Sequence, residues 1–121
     1  MARILIVDDS PSQLMGMKRI VESLGHSVVT AEDGAAGVAA AKKHIPDLIL
    51  MDVVMPNLNG FQATRQISKD AKTSHIPVIL VTTKDQETDK VWGMRQGAKA
   101  YITKPFTENQ LVDVINSLLG A

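Results

Sequence analysis

Apolar and polar positions fall into alternating blocks along this chain, and the pattern repeats five times. Short apolar runs occupy Arg3–Val7, Ser27–Ala31, Asp47–Met51, Pro77–Val81 and Ala100–Thr103. Between them lie segments of helical period. Ser10-Pro11 opens the first, because a proline in the first turn loses no hydrogen bond and has its φ preset. Leu14, Met17, Val21 and Leu24 follow at helical spacing and Gly25 closes it. Asp33-Gly34 marks a turn, Ala35–Lys43 reads as an alanine-rich helix that can pack closely on a sheet, and Pro46 breaks it. Gly60–Lys69 is weakly amphipathic through Phe61, Thr64 and Ile67, and about Asp85–Gln96 offers Val91, Met94 and Ala98 as an inner stripe. Thr107 and Gln110 form a capping box for the last helix, whose stripe is Leu111, Val114, Ile115 and Leu118. Strict alternation with fully apolar central runs predicts a parallel sheet covered by helices on both faces. Right-handed crossovers restrict the topology further.

Four of the five runs end on residues with chemical potential. Asp8 and Asp9 follow the first, Asp52 the third, Thr82 the fourth and Lys104 the fifth. Carboxyl ends of parallel strands share one sheet edge, where α/β proteins bind ligands. Three carboxylates, a hydroxyl and an ammonium are therefore expected to converge. Like charges about 4 Å apart repel by roughly 4 kcal/mol at an effective dielectric near 20, so such a group calls for a cation or a stored proton. The lysine and threonine beside it suit an anion.

Composition narrows the field. A length of 121 residues suits one domain with a proper core. Thirteen Lys and Arg balance thirteen Asp and Glu, which argues against nucleic acid or an anionic membrane as a standing partner. Without cysteine, disulfide and thiolate chemistry drop out. The opening is too short for a signal peptide and no apolar stretch suits a membrane helix, so a cytoplasmic protein is expected. His26, His44 and His75 lack ligand spacing and are expected to face solvent.

Asp8-Asp9, Asp52 with Met55-Pro56 and Gly60 downstream, Thr82, and Lys104-Pro105-Phe106 together resemble a response regulator receiver domain spanning residues 1–121. The stretches Asn59–Gln66 and Asp85–Gly93 are similar to single-domain regulators of type IV pilus twitching-motility chemosensory systems. The resemblance implies a flavodoxin-like (βα)5 fold with strand order 2-1-3-4-5. It implies that Asp52 accepts a phosphoryl group from a histidine kinase, with Mg²⁺ held by Asp8, Asp9, Asp52 and the backbone carbonyl of Val54. Lys104 and Thr82 would hold phosphoryl oxygens, and the Lys104–Pro105 peptide would be cis, as is typical of the family. Tyr101 matches the family's switching aromatic. Output would leave through the face of helix four, strand five and helix five, where Lys90, Trp92, Arg95, Lys99 and Tyr101 suit an acidic partner segment. The chain stops soon after its last helix, so no DNA-binding or enzymatic effector is expected, and the protein is expected to be a monomer and to catalyse only its own phosphotransfer and dephosphorylation. A phosphate sink that drains a kinase without an output partner uses the same pocket.

Plainer roles compete at several positions. Asp8 could cap the first helix, Asp52 could be a turn residue and Lys104 a surface lysine. Thr83 rivals Thr82, although alignment with the family favours Thr82. Tyr101 could serve core packing alone, and Trp92 could be a half-buried edge residue or a partner contact. Val54 and Lys84 flank the phosphoryl position in the family. A valine cannot orient a hydrolytic water, whereas Lys84 could shield the phosphate. A flavin carrier would find Asp8 and Asp9 repelling its phosphate. A haloacid-dehalogenase-type phosphatase would want a second acid where Val54 stands. A degenerate receiver serving only as a binding module would not need the full acidic set.

Overall fold

The computed structural model describes residues 1–120. Elements follow one another as β1 (Arg3–Val7), α1 (Pro11–Ser23), β2 (Ser27–Ala31), α2 (Gly34–His44), β3 (Leu48–Met51), α3 (Gly60–Lys69), β4 (Val78–Thr82), α4 (Glu87–Arg95), β5 (Ala100–Thr103) and α5 (Glu108–Leu119). The five strands form one parallel sheet in the order β2-β1-β3-β4-β5. This is the architecture expected from the alternation, and the strand order is the one implied by the family resemblance.

Alternate residues of each buried strand point to opposite faces. Leu5, Val7, Ile49, Met51, Val78 and Leu80 pack with Val38, Ala41, Ala63 and Ile67 of α2 and α3. On the other face Ile4, Ile6, Leu48, Leu50, Ile79 and Val81 meet Met17 and Val21 of α1, and Leu111 and Ile115 of α5. Burying strands on both faces is why their sequences are apolar without alternation.

Helix starts follow the sequence signals. Ser10 caps α1 ahead of Pro11, Asp33 caps α2 through Ala36 N–H at 2.7 Å, and capping boxes close on Asn59–Gln62 and Thr107–Gln110. Helix α2 runs to His44 and ends on Ile45 in the left-handed region at φ 44°. Asp47 stays outside β3; its carboxylate accepts the Arg3 N–H at 2.8 Å, and Thr82 joins β4 as its last residue.

Three expectations need correction. In α4 the stripe of Val91 and Met94 is not buried: both are about half exposed, and among the described residues Gly93 is the helix's one buried position. A glycine carries no side chain, so counting apolar residues skips the true inner face. Ala98 is buried, but it follows the break at Gly97 (φ 108°) and does not extend the helical stripe. In α3 the inner face is Gly60, Ala63, Thr64 and Ile67, and Phe61 is only half-buried. His26 and His44 are partly buried rather than solvent-facing, and the His26 Nδ1 accepts the Ala2 N–H at 3.0 Å; His75 is exposed.

Candidate functional site

Sheet register brings the strand ends together. Val7 pairs with Met51 and Thr82 with Thr103, so the residues that follow start level with one another. The ladder continues one step into the loops: Asp52 N–H donates to Val7 O (2.9 Å), Asp8 N–H to Ala31 O (3.1 Å) and Lys104 N–H to Thr82 O (2.8 Å). Gly60 closes the Asp52 side, since a Cβ there would run into the Asp52 carbonyl. The loop after β3 can fold flat onto the start of α3 only with glycine at this position.

Asp8, Asp9 and Asp52 each present a carboxylate oxygen, and the three atoms lie within 4.8 Å of one another. Asp8 and Asp52 are buried, whereas Asp9 is exposed. Lys104 reaches in as the neutralising cation. Its Nζ donates to Asp8 Oδ2 at 2.8 Å and to Gln13 Oε1, and stands 3.8 Å from Asp52 Oδ1. The Lys104–Pro105 peptide is cis. Asp8 also accepts the Ser10 N–H at 2.9 Å through Oδ1, so it braces the entry to α1 and serves the pocket together.

One cation does not balance three carboxylates. Burial pushes the Asp52 carboxyl above the usual carboxylate range; Lys104 pulls it back, Asp8 and Asp9 push it up again, and the Val53 N–H on Oδ1 (2.8 Å) opposes them. An oxygen-rich, under-neutralised group of this kind fits a hard divalent ion such as Mg²⁺, which takes carboxylates and keeps several waters. The Val54 side chain is about half exposed.

Thr82 is fully buried at the end of β4, and its rival Thr83 is exposed. The Thr82 Oγ1 accepts the Lys84 N–H at 3.3 Å, and the Lys84 carbonyl accepts the Tyr101 hydroxyl at 2.8 Å. One residue's backbone thus joins the pocket to the aromatic. Lys84 itself points to Asp89, with its Nζ 3.9 Å from Oδ1. Burial, with Asp89 and Asp85 nearby, pushes the Tyr101 phenol up to about 12, so it remains a donor throughout the physiological range. Its ring lies under α4, where a Cβ on Gly93 would come within 3.2 Å of it and 2.6 Å of Leu80 Cδ1.

Gly93→Ala is therefore expected to lift α4 off the ring, at a cost of about 1–3 kcal/mol. NMR should show it as loss of a single Tyr101 ring environment together with a shifted Lys84 amide. An unchanged ring and unchanged stability would mean that α4 has room to spare. Of the expected output face, Trp92, Arg95 and Lys99 are exposed, and Lys90 and Tyr101 half-buried. Trp92 is about half exposed, as a surface residue of α4.

Sequence reasoning missed two participants. Gln13 gave no signal, because a lone glutamine on a helix surface carries no motif. The Lys84 peptide acts through backbone atoms, which side-chain identity does not reveal.

Comparison with known proteins agrees with this geometry. The family described as "Response regulator receiver domain" matches residues 4–116. The chain is 62% identical over 120 residues to Protein PilH of Pseudomonas aeruginosa, covering 99% of each. Chemotaxis protein CheY4 of Vibrio cholerae superposes with a TM-score of 0.91 at 30% identity, covering 98% of both chains. So does the receiver domain of the sensor histidine kinase PA1611 of Pseudomonas aeruginosa, with a TM-score of 0.91 at 30% identity over 99% of this chain and 98% of that one. That structure has a magnesium ion coordinated in its active-site cleft. Among the described residues no helix is long and apolar enough to cross a membrane.

Proposed function

The chain belongs to the response regulator receiver family, and we propose on that premise that it is a phosphorylation-operated signalling switch with Asp52 as its acceptor. The observation that carries this reading is the placement of Asp52 beside two further carboxylates and the Lys104 ammonium, at the strand-end edge of the sheet. A histidine kinase supplies the phosphoryl group. An Asp52 carboxylate oxygen attacks phosphorus as the P–N bond to the donor imidazole breaks, and the imidazole leaves with a proton. Lys104 and the Thr82 hydroxyl then hold phosphoryl oxygens, and dephosphorylation returns the carboxylate when water attacks phosphorus. Asp8, Asp9, Asp52 and the Val54 carbonyl would hold Mg²⁺, which neutralises charge on the transferring group.

Output runs from Thr82 through the Lys84 peptide to Tyr101. When its hydroxyl turns to the phosphoryl group, Thr82 releases the Lys84 N–H, and the carbonyl of the same residue is the Tyr101 acceptor. This gives the two-state element that a switch requires, and its surface is the Lys90, Trp92, Arg95, Lys99 and Tyr101 face, which meets an acidic protein segment. We assign control of type IV pilus twitching motility as the output. It rests on the resemblance at 59–66 and 85–93 and on the identity with Protein PilH. The protein acts in the cytoplasm as a monomer.

Beryllofluoride with Mg²⁺ mimics the phosphoryl state. The expected result is that Thr82, Lys84, Trp92 and Tyr101 amide signals shift together in NMR spectra. Shifts confined to Asp8, Asp9, Asp52 and their neighbours would replace the switch with a phosphate sink that drains the kinase.

A further inference from the structure

We propose that Gln13 is a positioning residue for Lys104, holding its ammonium at the phosphoryl site without cancelling its charge; this rests on Asp52 being the acceptor. A lysine ammonium has three N–H donors on a flexible four-carbon stem. Two of them are committed to Asp8 Oδ2 and Gln13 Oε1. The third is free for the Asp52 side, where Oδ1 lies at 3.8 Å, beyond hydrogen-bond distance but within ion-pair range.

The two anchors differ in kind. Asp8 is charged and shared: its other oxygen holds the Ser10 N–H, and it belongs to the carboxylate cluster. A cation held there would compete with the ammonium for Oδ2. Gln13 is neutral and belongs to no cluster, so its hold on Lys104 persists when Asp8 is drawn elsewhere. Its backbone is set by the start of α1, where Ser10 caps the helix and Pro11 fixes the first turn. An amide therefore sits where a carboxylate would pair with the lysine and weaken its pull on an incoming phosphate. Gln13 is exposed, so replacing it opens no core cavity.

Gln13→Met keeps length and apolar bulk while removing the acceptor, and Gln13→Glu keeps the acceptor and adds charge. Phosphorylation of full-length protein by phosphoramidate with Mg²⁺ should slow about fivefold in Gln13→Met, the rate equivalent of one ordinary hydrogen bond. It should slow further in Gln13→Glu. Mg²⁺ affinity of Gln13→Met should stay close to that of wild type, because Gln13 bonds Lys104 and none of the carboxylates that would hold the ion. In metal-free protein, NMR relaxation of the Lys104 ε-methylene should report greater mobility in Gln13→Met and less in Gln13→Glu. A wild-type rate in Gln13→Met, or unchanged Lys104 mobility, would overturn the assignment. Equal slowing in both variants with lost helical signal would also overturn it, as a merely structural role. Wild-type protein that does not label at Asp52 brings down the acceptor reading itself, and wild-type labelling tells that failure apart from failure of Gln13 alone.

Discussion

Asp52→Asn is expected to reduce Mg²⁺-dependent labelling from acetyl phosphate by at least about a thousandfold, the scale seen when an enzyme loses its nucleophile. Asp8 and Asp9 should not substitute for it. Asp8 has its oxygens engaged with Ser10 and Lys104, and Asp9 is the exposed member of the group. Mass spectrometry of the labelled protein maps the acceptor, and undiminished labelling in Asp52→Asn would sink the assignment. The same substitution should stabilise the metal-free protein at neutral pH. The folded-state pKa of Asp52 is raised, first by burial, so the folded chain binds its proton more tightly than the unfolded chain does. Stability from this group is present below the ordinary value of 3.8 and is lost as pH rises through the raised one. Asn carries no charge, so the variant should show a flatter pH dependence across that window. Lys104 works in the opposite direction, and the net upward shift means that burial and the neighbouring acids outweigh it. Denaturant titrations from pH 4 upward are the measurement.

The extent to which the chain could be read from its sequence differs by element, for physical reasons. Strands β1, β2 and β5 and helix α3 fall on the residues expected, because short runs rich in β-branched and aromatic residues, and capped helices, leave dense local signals. The pocket was equally legible. Its residues follow strands, and register alone carries Asp8, Asp52 and Lys104 to one edge once the strand order is known. Helix α4 was misread because its contact with the sheet is made by Gly93, which adds no hydrophobicity to a periodic count. The half-exposed Val91 and Met94 imitate a core stripe and instead form surface. Thr82 and Tyr101 both bond to the backbone of Lys84, one to its N–H and the other to its carbonyl, and no side-chain pattern announces that bridge. Backbone relays of this kind depend on loop conformation, which residue identity between β4 and α4 constrains only weakly.

Lys104→Met and Asp9→Ala should move the metal-free protein in opposite directions, which makes the pair a test of the pocket's charge balance. The Lys104 side chain is 10% exposed and pairs with Asp8, whose side chain is 1% exposed. Its removal leaves three carboxylates together without their cation, a loss expected to cost about 3 kcal/mol at neutral pH because breaking a buried pair strands the partner charge. Asp9→Ala removes one acid from an exposed site, relieving repulsion without opening a cavity, so its stability should rise, by less than about 1 kcal/mol. Mg²⁺ should then separate the two. Wild type gains stability by mass action, Lys104→Met gains more because the ion supplies the missing charge, and Asp9→Ala gains little and loses Mg²⁺-dependent phosphorylation. Urea denaturation of all three proteins, with and without Mg²⁺, reads each difference directly. If Lys104→Met matched wild type in the absence of metal, the three acids would not be in electrostatic conflict, and the case for a cation site built from their mutual repulsion would fall.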